Sequence, residues 1–381
     1  MPAILDHIFE FVGRLTPKRS DKRFFAVDAW GNLDLARDVH AQSLTYFHSK
    51  SKPPVDATLR RDTACDIAWA PPSVDADYGD GVVRQDATFV SPFADALPEE
   101  SRLVRFARLR PGAPPASGTD GAASAVKRVA VLLPCTGDVD EWFRRSIARE
   151  LLTNGVECVI PTIAYYGERK PARQWRHVLR SVADAKIQLS VTPVEMMMLC
   201  MALDEEAKRD GHASVDLCLA GVSLGGTMSA LTALAMAKAR GDAENNVVVC
   251  CVAAANDCTP YVEGSIETRL AWEVLCESGE ADGATPMSKE RCKTILLDVL
   301  KELDMSNLVV ENAVKGAVCV TAREDRFVGA GDAIANTLQT MVTTAEGFIR
   351  EDFDGGHLQF LFGNKSSIAP NIQRAFDLMR A

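Results

Sequence analysis

The sequence lacks several features that would assign it to a familiar class. It has no run of 18 or more apolar residues, so we expect no transmembrane helix. It has no long basic stripe, and its formal net charge of -10 argues against a nucleic-acid partner. No secretory signal peptide is recognisable, and the cysteines show no paired zinc spacing. The sequence therefore predicts no bound metal and no cofactor.

The 11 cysteines indicate an intracellular protein. Five of them lie inside apolar runs that are typical of buried strands: Cys158, Cys218, Cys250, Cys251 and Cys319. Buried free thiols behave as small apolar groups, which suits a reducing compartment. We expect a cytoplasmic or mitochondrial protein rather than a secreted one.

Strand-like and helical stretches alternate from residue 129 onward. The apolar runs are VAVLLP, VECVIP, VDLCLAGV, NVVVCCVAAA, GAVCVTA and GFIREDF, and helical patterns such as DEWFRRSIARELLTNG separate them. This alternation predicts a mostly parallel central sheet with helices on both faces. We interpret residues 96–381 as the catalytic domain and residues 1–95 as an N-terminal extension packed on or near it.

Two regions interrupt the alternation. Residues 110–125 are rich in Pro, Gly, Ser and Ala, which indicates a flexible surface loop. We expect that loop to join RLVRFARL to VAVLLP as a long hairpin connection. Residues 258–311 are mostly helical in pattern and follow a strand, so they would form a cap over the ligand-binding end of the sheet.

The N-terminal stretch MPAILDHIFEFVGRL predicts an amphipathic helix. Asp6 and Glu10 fall opposite its apolar residues. The interpretation we favour is a helix packed on the body of the protein, because amphipathic helices usually face a core. The alternative is a peripheral membrane-surface anchor.

The stretch CLAGVSLGGTMSA has the context of a nucleophile elbow. Such an elbow needs a buried strand, a sharp turn and a helix, with small residues where the two backbones pass closely. VDLCLAGV has the length of a strand, and GGTMSALTALAMAKAR is rich in helix formers. Gly221 and Gly225 stand two residues before and after the serine. The pattern predicts that Ser223 is a nucleophile.

A base and an acid must follow that serine along the chain. His357, in EDFDGGHLQFLF, is the one histidine of the six that follows Ser223. Asp325, after GAVCVTA, is the best candidate for the acid that orients this histidine. Glu324 is the nearest rival and Asp257 a more distant one.

The oxyanion hole needs two backbone N–H groups. Leu224, the residue after the nucleophile, would supply one. The loop CTGD after VAVLLP would supply the other, and we predict Thr136, with Gly137 as the alternative.

Several motifs together resemble one family. They are DAWGNLDLARDV, ATFVSPFADALPEES, TGDVDEWFRR, YYGERKPARQ, GVSLGG, AREDRFV and GGHLQFLF. The sequence resembles the alpha/beta-hydrolase domain-containing protein 18 family, although Ala29 replaces a glycine and Phe143 an arginine of its pattern. The resemblance implies an alpha/beta-hydrolase fold, an intracellular serine hydrolase and a phospholipid substrate, with mitochondrial cardiolipin deacylation as the named activity.

Four basic residues follow two neighbouring predicted strands at the substrate rim: Arg144, Arg145, Arg169 and Lys170. They would suit an anionic head group. The alternative is that they hold loops by pairing with Asp138, Glu141 and Glu168.

Three functions remain open. The first is a serine hydrolase that deacylates a lipid or phospholipid through an acyl-enzyme. The second is a small-molecule carboxylesterase or thioesterase with the same machinery. The third is a non-catalytic ligand-binding protein on a hydrolase fold.

Overall fold

The computed structural model describes residues 4–47, 65–111, 126–212, 214–240, 246–279, 286–301, 304–329, 331–363 and 365–380. These residues include a 10-stranded sheet. Its strands are β1 (Ala68–Trp69), β2 (Ser73–Val74), β3 (Val83–Val90), β4 (Leu103–Arg110), β5 (Lys127–Leu133), β6 (Glu157–Thr162), β7 (Val215–Val222), β8 (Val247–Val252), β9 (Gly316–Ala322) and β10 (Phe348–Phe353).

The sheet is mixed, and its parallel part carries the fold. The strand order is β1-β3-β4-β6-β5-β7-β8-β9-β10, with β2 on β3. The pairs from β1 to β6 are antiparallel, and every pair from β6 to β10 is parallel. The predicted parallel sheet is confirmed. The carboxyl ends of β5, β7, β9 and β10 therefore meet at one edge, where ligands bind in such folds.

The predicted hairpin between β4 and β5 is wrong. β6 lies between them, with Phe106 of β4 opposite Pro161 of β6. Chain order does not determine adjacency in a sheet, and the later strand β6 takes the central place. Residues 112–125 of the predicted loop lie outside the part of the chain that the structure describes.

The predicted division at residues 95 and 96 falls between two paired strands. β3 pairs with β4 along its whole length, from Val83 opposite Arg110 to Val90 opposite Leu103. Strands from the N-terminal extension therefore continue the catalytic sheet.

Helices cover both faces of the sheet. They are α1 (Ile4–Leu15), α2 (Leu33–Leu44), α3 (Trp142–Thr153), α4 (Val182–Arg209), α5 (Leu224–Arg240), α6 (Pro260–Glu263), α7 (Trp272–Glu277), α8 (Lys289–Leu300), α9 (Asp332–Met341), α10 (His357–Gly363) and α11 (Ile368–Asp377). Successive strand residues point to opposite faces. Val129 and Val131 of β5 thus join the core beneath α4 and α5, whereas Ala130 and Leu132 join the core beneath α3 and α11.

Helix α4 is long and apolar enough to cross a membrane, and no other helix in the described part of the chain is. However, 89% of its most apolar window is buried inside the protein. It packs against α2 and α5, as is typical of a core helix.

The helical cap predicted at residues 258–311 is present in its described parts. It contains α6, α7 and α8, and the N-terminal segment ties it down. Phe24 donates its N–H to Arg269 O and accepts from the N–H of Ala271. The indole of Trp30 donates to Leu275 O at 3.2 Å.

The predicted N-terminal helix is present as α1 and packs on the body of the protein, as favoured, but its polar face rather than its apolar face meets the protein. Its buried residues are Asp6, Glu10 and Gly13. Most of its apolar residues point outward: Ile4, Leu5, Ile8, Phe11, Val12 and Leu15. The physical reason is that hydrogen bonds and an ion pair to the two carboxylates, together with the ring contact of Phe9 to Phe327, hold the opposite face of the helix on the protein.

All 11 cysteines are free thiols. Those predicted to lie in strands are buried. Burial raises the pKa of Cys218 and of Cys251 well above the ordinary value. These thiols act as apolar core groups, as predicted.

Candidate active site

Ser223 lies on a sharp turn between β7 and α5. Its φ is +54°, in the left-handed region that a serine rarely adopts. Its N–H donates to Val252 O of β8 at 2.8 Å, and its carbonyl accepts from the N–H groups of Gly226 and Thr227. This is the strained strand–turn–helix geometry of a nucleophile elbow.

The glycines around the serine are required by close backbone contacts. A Cβ on Gly221 would lie 2.4 Å from the carbonyl carbon of Gly225. A Cβ on Gly225 would lie 2.5 Å from Leu133 O, at the end of β5. The elbow helix therefore fits against two strands only without side chains at these positions.

His357 and Asp325 form a buried pair. His357 Nδ1 lies 2.7 Å from Asp325 Oδ2, and both side chains are almost fully buried. Asp325 Oδ1 accepts from the N–H groups of Phe327 and Val328 at 2.8 and 2.9 Å, which fixes the carboxylate. The ring of Phe327 stacks on the imidazole at 4.7 Å. The pair can therefore orient an imidazole and stabilise its protonated form.

Neither rival carboxylate contacts the histidine. Glu324 is exposed, and its backbone N–H donates to Gly355 O. The carboxylate of Asp257 accepts from the N–H of Thr259 at 2.8 Å. The geometry therefore selects Asp325 as the partner of His357.

The loop after β5 lies beside the elbow. Thr136, Ser223 and Leu224 line the same pocket. Gly137 has a φ of +94°, and a Cβ there would lie 3.4 Å from the ring of His177. Burial lowers the pKa of His177 to about 4, so a neutral imidazole stands next to this loop. The phenol of Tyr166 interacts with the Gly137 backbone and the Thr136 side chain.

The predicted substrate role of Arg144 is contradicted by its burial. Its Nε donates to Asp138 Oδ2 at 2.6 Å, and its Nη1 to the carbonyls of Pro161 and Leu132. Because its side chain is only 3% exposed, no head group can reach the guanidinium. Arg144 instead ties the loop after β5 to the ends of β5 and β6.

The same correction applies to Arg169. This side chain is 0% exposed and forms a two-pronged ion pair with Glu195, at 2.8 and 2.7 Å. It also donates to the carbonyls of Ser101 and Thr162. The predicted alternative of loop support is the better description, although the partner is Glu195 rather than Glu168.

The other two rim residues are also engaged. Arg145 forms an ion pair with Asp77 at 3.0 Å and is 35% exposed. Lys170 Nζ donates to the carbonyls of Pro171 and Gln174. Each of the four basic side chains is therefore bound to a protein partner, and together they do not form an open anion-binding site.

A narrow, largely apolar pocket with a cavity volume of about 60 Å³ opens beside Ser223. This cavity is smaller than the roughly 300–1,000 Å³ of most small-molecule sites, so it would have to widen to admit an acyl chain. Its apolar lining comes from α5, from the neighbouring helix α4 and from the cap: Leu189, Met228, Leu231, Cys258, Pro260, Tyr261 and Ile266. The cap therefore helps to build this pocket, as an insertion at this position is expected to do.

Sequence patterns missed two supporting residues, Asp6 and Glu10. Asp6 accepts from the N–H of His357 at 2.9 Å, and Glu10 pairs with Arg326, the neighbour of Asp325. The Arg326 guanidinium, which donates to Glu10, lowers the pKa of that carboxyl. The available signal was a pair of acids four residues apart on one helical face.

The family model described as alpha/beta hydrolase domain containing 18 matches residues 22–285 and 278–378. The chain belongs to this family. The match includes the elbow, the Asp325–His357 pair and the cap.

Solved structures agree on the fold. Acetyl xylan esterase 1 from Thermoanaerobacterium is similar with a TM-score of 0.53 at 12% identity, covering 94% of this chain and 97% of that one. Lipase A from Candida antarctica has a TM-score of 0.50 at 10% identity, covering 89% of this chain and 86% of that one. At such identities these likenesses show the alpha/beta-hydrolase fold. The family assignment places the chain among the alpha/beta hydrolases.

Two departures from the family's motifs can be read in the structure. Ala29 stands where the family's pattern has a glycine, and its φ is +50°, a conformation that favours glycine. Phe143, where the resemblance has an arginine, is buried in the core beneath α3.

Proposed function

We propose that the protein hydrolyses acyl esters of lipids through Ser223, His357 and Asp325. Ser223 Oγ attacks the ester carbonyl while His357 takes its proton through Nε2, because Nδ1 faces Asp325. Asp325 holds the imidazole and stabilises its cationic form. The N–H groups of Leu224 and Thr136 receive the developing oxyanion.

His357 then gives its proton to the departing alcohol oxygen as the ester C–O bond breaks, which leaves the acyl group bound to Ser223 as an acyl-enzyme. In the second half, His357 takes a proton from a water molecule, whose oxygen attacks the acyl carbon. His357 returns this proton to Ser223 Oγ as the Oγ–C bond breaks, which releases the carboxylic acid and restores the free serine. No metal or cofactor takes part in these steps.

The single observation that carries the lipid assignment is the apolar pocket beside Ser223. Apart from Asp257 and a few hydroxyl groups, its walls offer hydrocarbon and sulfur, and Leu189, Met228 and Ile266 are typical of the lining. An aliphatic acyl chain would gain roughly 0.8 kcal/mol for each methylene it buries there. A polar acyl group would gain no comparable free energy from burial in this pocket.

The head group would lie in an adjoining, more polar cleft. That cleft shares Ala255, Asp257, Pro260 and Val328 with the acyl pocket. It holds more carboxylates than guanidinium groups: Glu10, Asp257, Glu263, Glu267 and Asp325 against Arg14 and Arg326. We propose a phospholipid substrate, and both this class and its narrower assignment to cardiolipin rest on the family resemblance, because the excess of carboxylates in the cleft does not favour a phosphate. We also propose an intracellular location, supported by the free thiols.

The proposal is tested by labelling the protein with a fluorophosphonate probe and by profiling its reaction products. Wild-type protein is expected to take up the probe and to release fatty acids from phospholipid vesicles. Ser223→Ala should lose both reactions while retaining its thermal unfolding midpoint. Probe labelling that persists in Ser223→Ala would refute the assigned nucleophile.

The same experiment separates the two other functions. A panel of p-nitrophenyl esters and acyl thioesters, compared with phospholipids, measures the substrate class. Turnover confined to short-chain esters or thioesters would favour a small-molecule carboxylesterase or thioesterase. Absence of both labelling and turnover would favour a non-catalytic binding protein.

A further inference from the structure

The outer face of α1 is unusually apolar for an exposed helix. In the described part of the chain, six of the 15 exposed large hydrophobic side chains belong to this one helix of 12 residues. Phe11 is 63% exposed and Leu15 is 67% exposed. A contiguous apolar patch of this kind usually marks an interaction surface.

The apolar surface has an aromatic neighbour. Helix α10, which begins at His357, packs against α1. Its exposed Phe362 stacks on the half-exposed Trp142, with ring centroids 6.1 Å apart. Aromatic side chains of this kind are enriched where proteins meet the membrane interface.

Exposed cations accompany the apolar face. Arg14 lies in the last turn of the helix, and Lys18, Arg19 and Lys22 follow it, with Asp21 as the one exposed acid from residue 14 to residue 22. Lys18 and Arg19 pair with glutamates of the cap but remain about 70% exposed, at 74% and 69%. Apolar residues flanked by lysine and arginine match the two layers of an anionic lipid surface, acyl chains and head groups.

The inner face of the same helix holds the catalytic loops. Asp6 Oδ2 accepts from the N–H of His357 at 2.9 Å, and Oδ1 from the N–H of Leu358 at 2.8 Å. Glu10 Oε1 accepts from Arg326 Nε and from the hydroxyl of Ser265, both at 2.7 Å. The carboxylates thus bridge the histidine loop, the acid loop and the cap.

We propose that α1 is an interfacial helix. Its outer face seats the protein on an anionic lipid surface, and through Asp6 its inner face positions His357. Because α1 packs directly on the catalytic loops, binding through its outer face brings the active site to the lipid that it hydrolyses. The inference rests on the proposed function for the role of His357, and Asp6 is a positioning residue.

Vesicle flotation of the full chain tests the outer face. The probes are vesicles of phosphatidylcholine alone and vesicles that also contain about 30% phosphatidylglycerol, which makes their surface strongly negative. We expect stronger binding to the anionic vesicles. The double variant Ile8→Asp/Phe11→Asp should reduce it about tenfold or more, because two apolar side chains no longer insert. Val74→Asp, a matched change at an exposed apolar residue of β2, should bind as wild type does.

Three outcomes would overturn the outer-face role. They are no binding of wild type to anionic vesicles, undiminished binding of the double variant, and equal loss in Val74→Asp. Sedimentation without lipid adds a fourth, because a dimer that Ile8→Asp/Phe11→Asp dissociates would make the face a contact between two copies of this chain.

Turnover of a soluble short-chain ester tests the inner face. Asp6→Asn replaces one of the two accepting oxygens with an NH2 group that faces an N–H donor and removes the charge, so kcat should fall about ten- to a hundredfold with KM little changed. Asp21→Asn, at an exposed carboxylate, serves as the control. Equal kcat values for Asp6→Asn and wild type, with both folded, would refute the positioning role.

A milder variant covers the case in which Asp6→Asn does not fold. Phe9→Leu removes the ring contact to Phe327, whose centroid lies 4.9 Å away, and should lower kcat several-fold. A change in thermal midpoint without a change in kcat would leave α1 a merely structural element and refute positioning.

The two proposals fail in different ways. Wild-type protein that hydrolyses the soluble ester but does not bind vesicles would refute docking and leave the hydrolase intact. Vesicle binding by wild type, with no hydrolysis of any ester, would refute the proposed function and leave docking intact.

Discussion

The two sides of the catalytic site are held by different kinds of contact. The elbow around Ser223 depends on glycines within a few residues of it and on the neighbouring strand ends. The loop that carries His357 depends on Asp6, 351 residues earlier in the chain. One side is built mainly from local sequence, and the other requires the chain's first helix to be in place. A change remote from the chemistry is therefore expected to disturb the histidine side more readily.

The largest expected effect tests whether Ser223 and His357 depend on each other in catalysis. Ser223→Ala and His357→Ala should each lower kcat for a soluble ester by roughly 10⁴-fold or more. The double variant should be little worse than either, because the remaining group has no partner to act with. Steady-state kinetics on all three variants measures this. Additive losses would mean that the two sides contribute independently.

The next effect concerns the acid on the histidine side. Asp325→Asn should lower kcat by up to about 10⁴-fold, because the amide supports the wrong imidazole tautomer. Glu324→Gln, the matched change at an exposed neighbour, should stay within about twofold. Initial rates measure both, and circular dichroism confirms the fold. A reversal of the two results would move the acid by one residue.

If Arg169 supports loops on the elbow side, its replacement should lower the free energy of unfolding rather than change the preference for anionic substrates. Arg169→Ala leaves Glu195 buried without its partner and should cost about 3–5 kcal/mol in the free energy of unfolding. Arg145→Ala, at a more exposed pair, should cost about 0–1 kcal/mol. Urea unfolding measures both. Loss of activity on anionic lipid alone in Arg169→Ala would return this residue to a substrate role.

The smallest effect tests local packing at the elbow. Gly225→Ala puts a methyl group against Leu133 O and should destabilise the protein by about 1–3 kcal/mol. Gly363→Ala, where no atom lies within 4 Å of the added carbon, should stay within about 0.5 kcal/mol. Equal effects would show that the elbow relaxes more freely than its contacts indicate.

The same contrast explains what could be predicted from the sequence. The elbow strand was predicted at its observed bounds, Val215–Val222, because its signals are contiguous in the chain. The pairing of Asp325 with His357 could be predicted as well, because chain order in this fold fixes which strand end carries each group.

Longer-range features could not be predicted in this way. Helical periodicity showed that α1 has an apolar and a polar face, but not which face meets the protein. Asp6 and Glu10 reverse the usual choice because their partners, His357 and Arg326, come from distant loops. The partner of Arg169 was likewise hidden, since Glu195 lies on a helix whose position depends on the whole sheet.

The buried thiols give the protein a built-in reporter of its own opening. Cys218 and Cys251 are fully buried, and their raised pKa keeps them protonated and unreactive at neutral pH. An alkylating reagent should therefore modify these central strands only when the sheet opens. The half-buried Cys65 and Cys276 should react earlier, during local fluctuations. Peptide mapping after timed alkylation would then rank the opening of different parts of the fold without any engineered label.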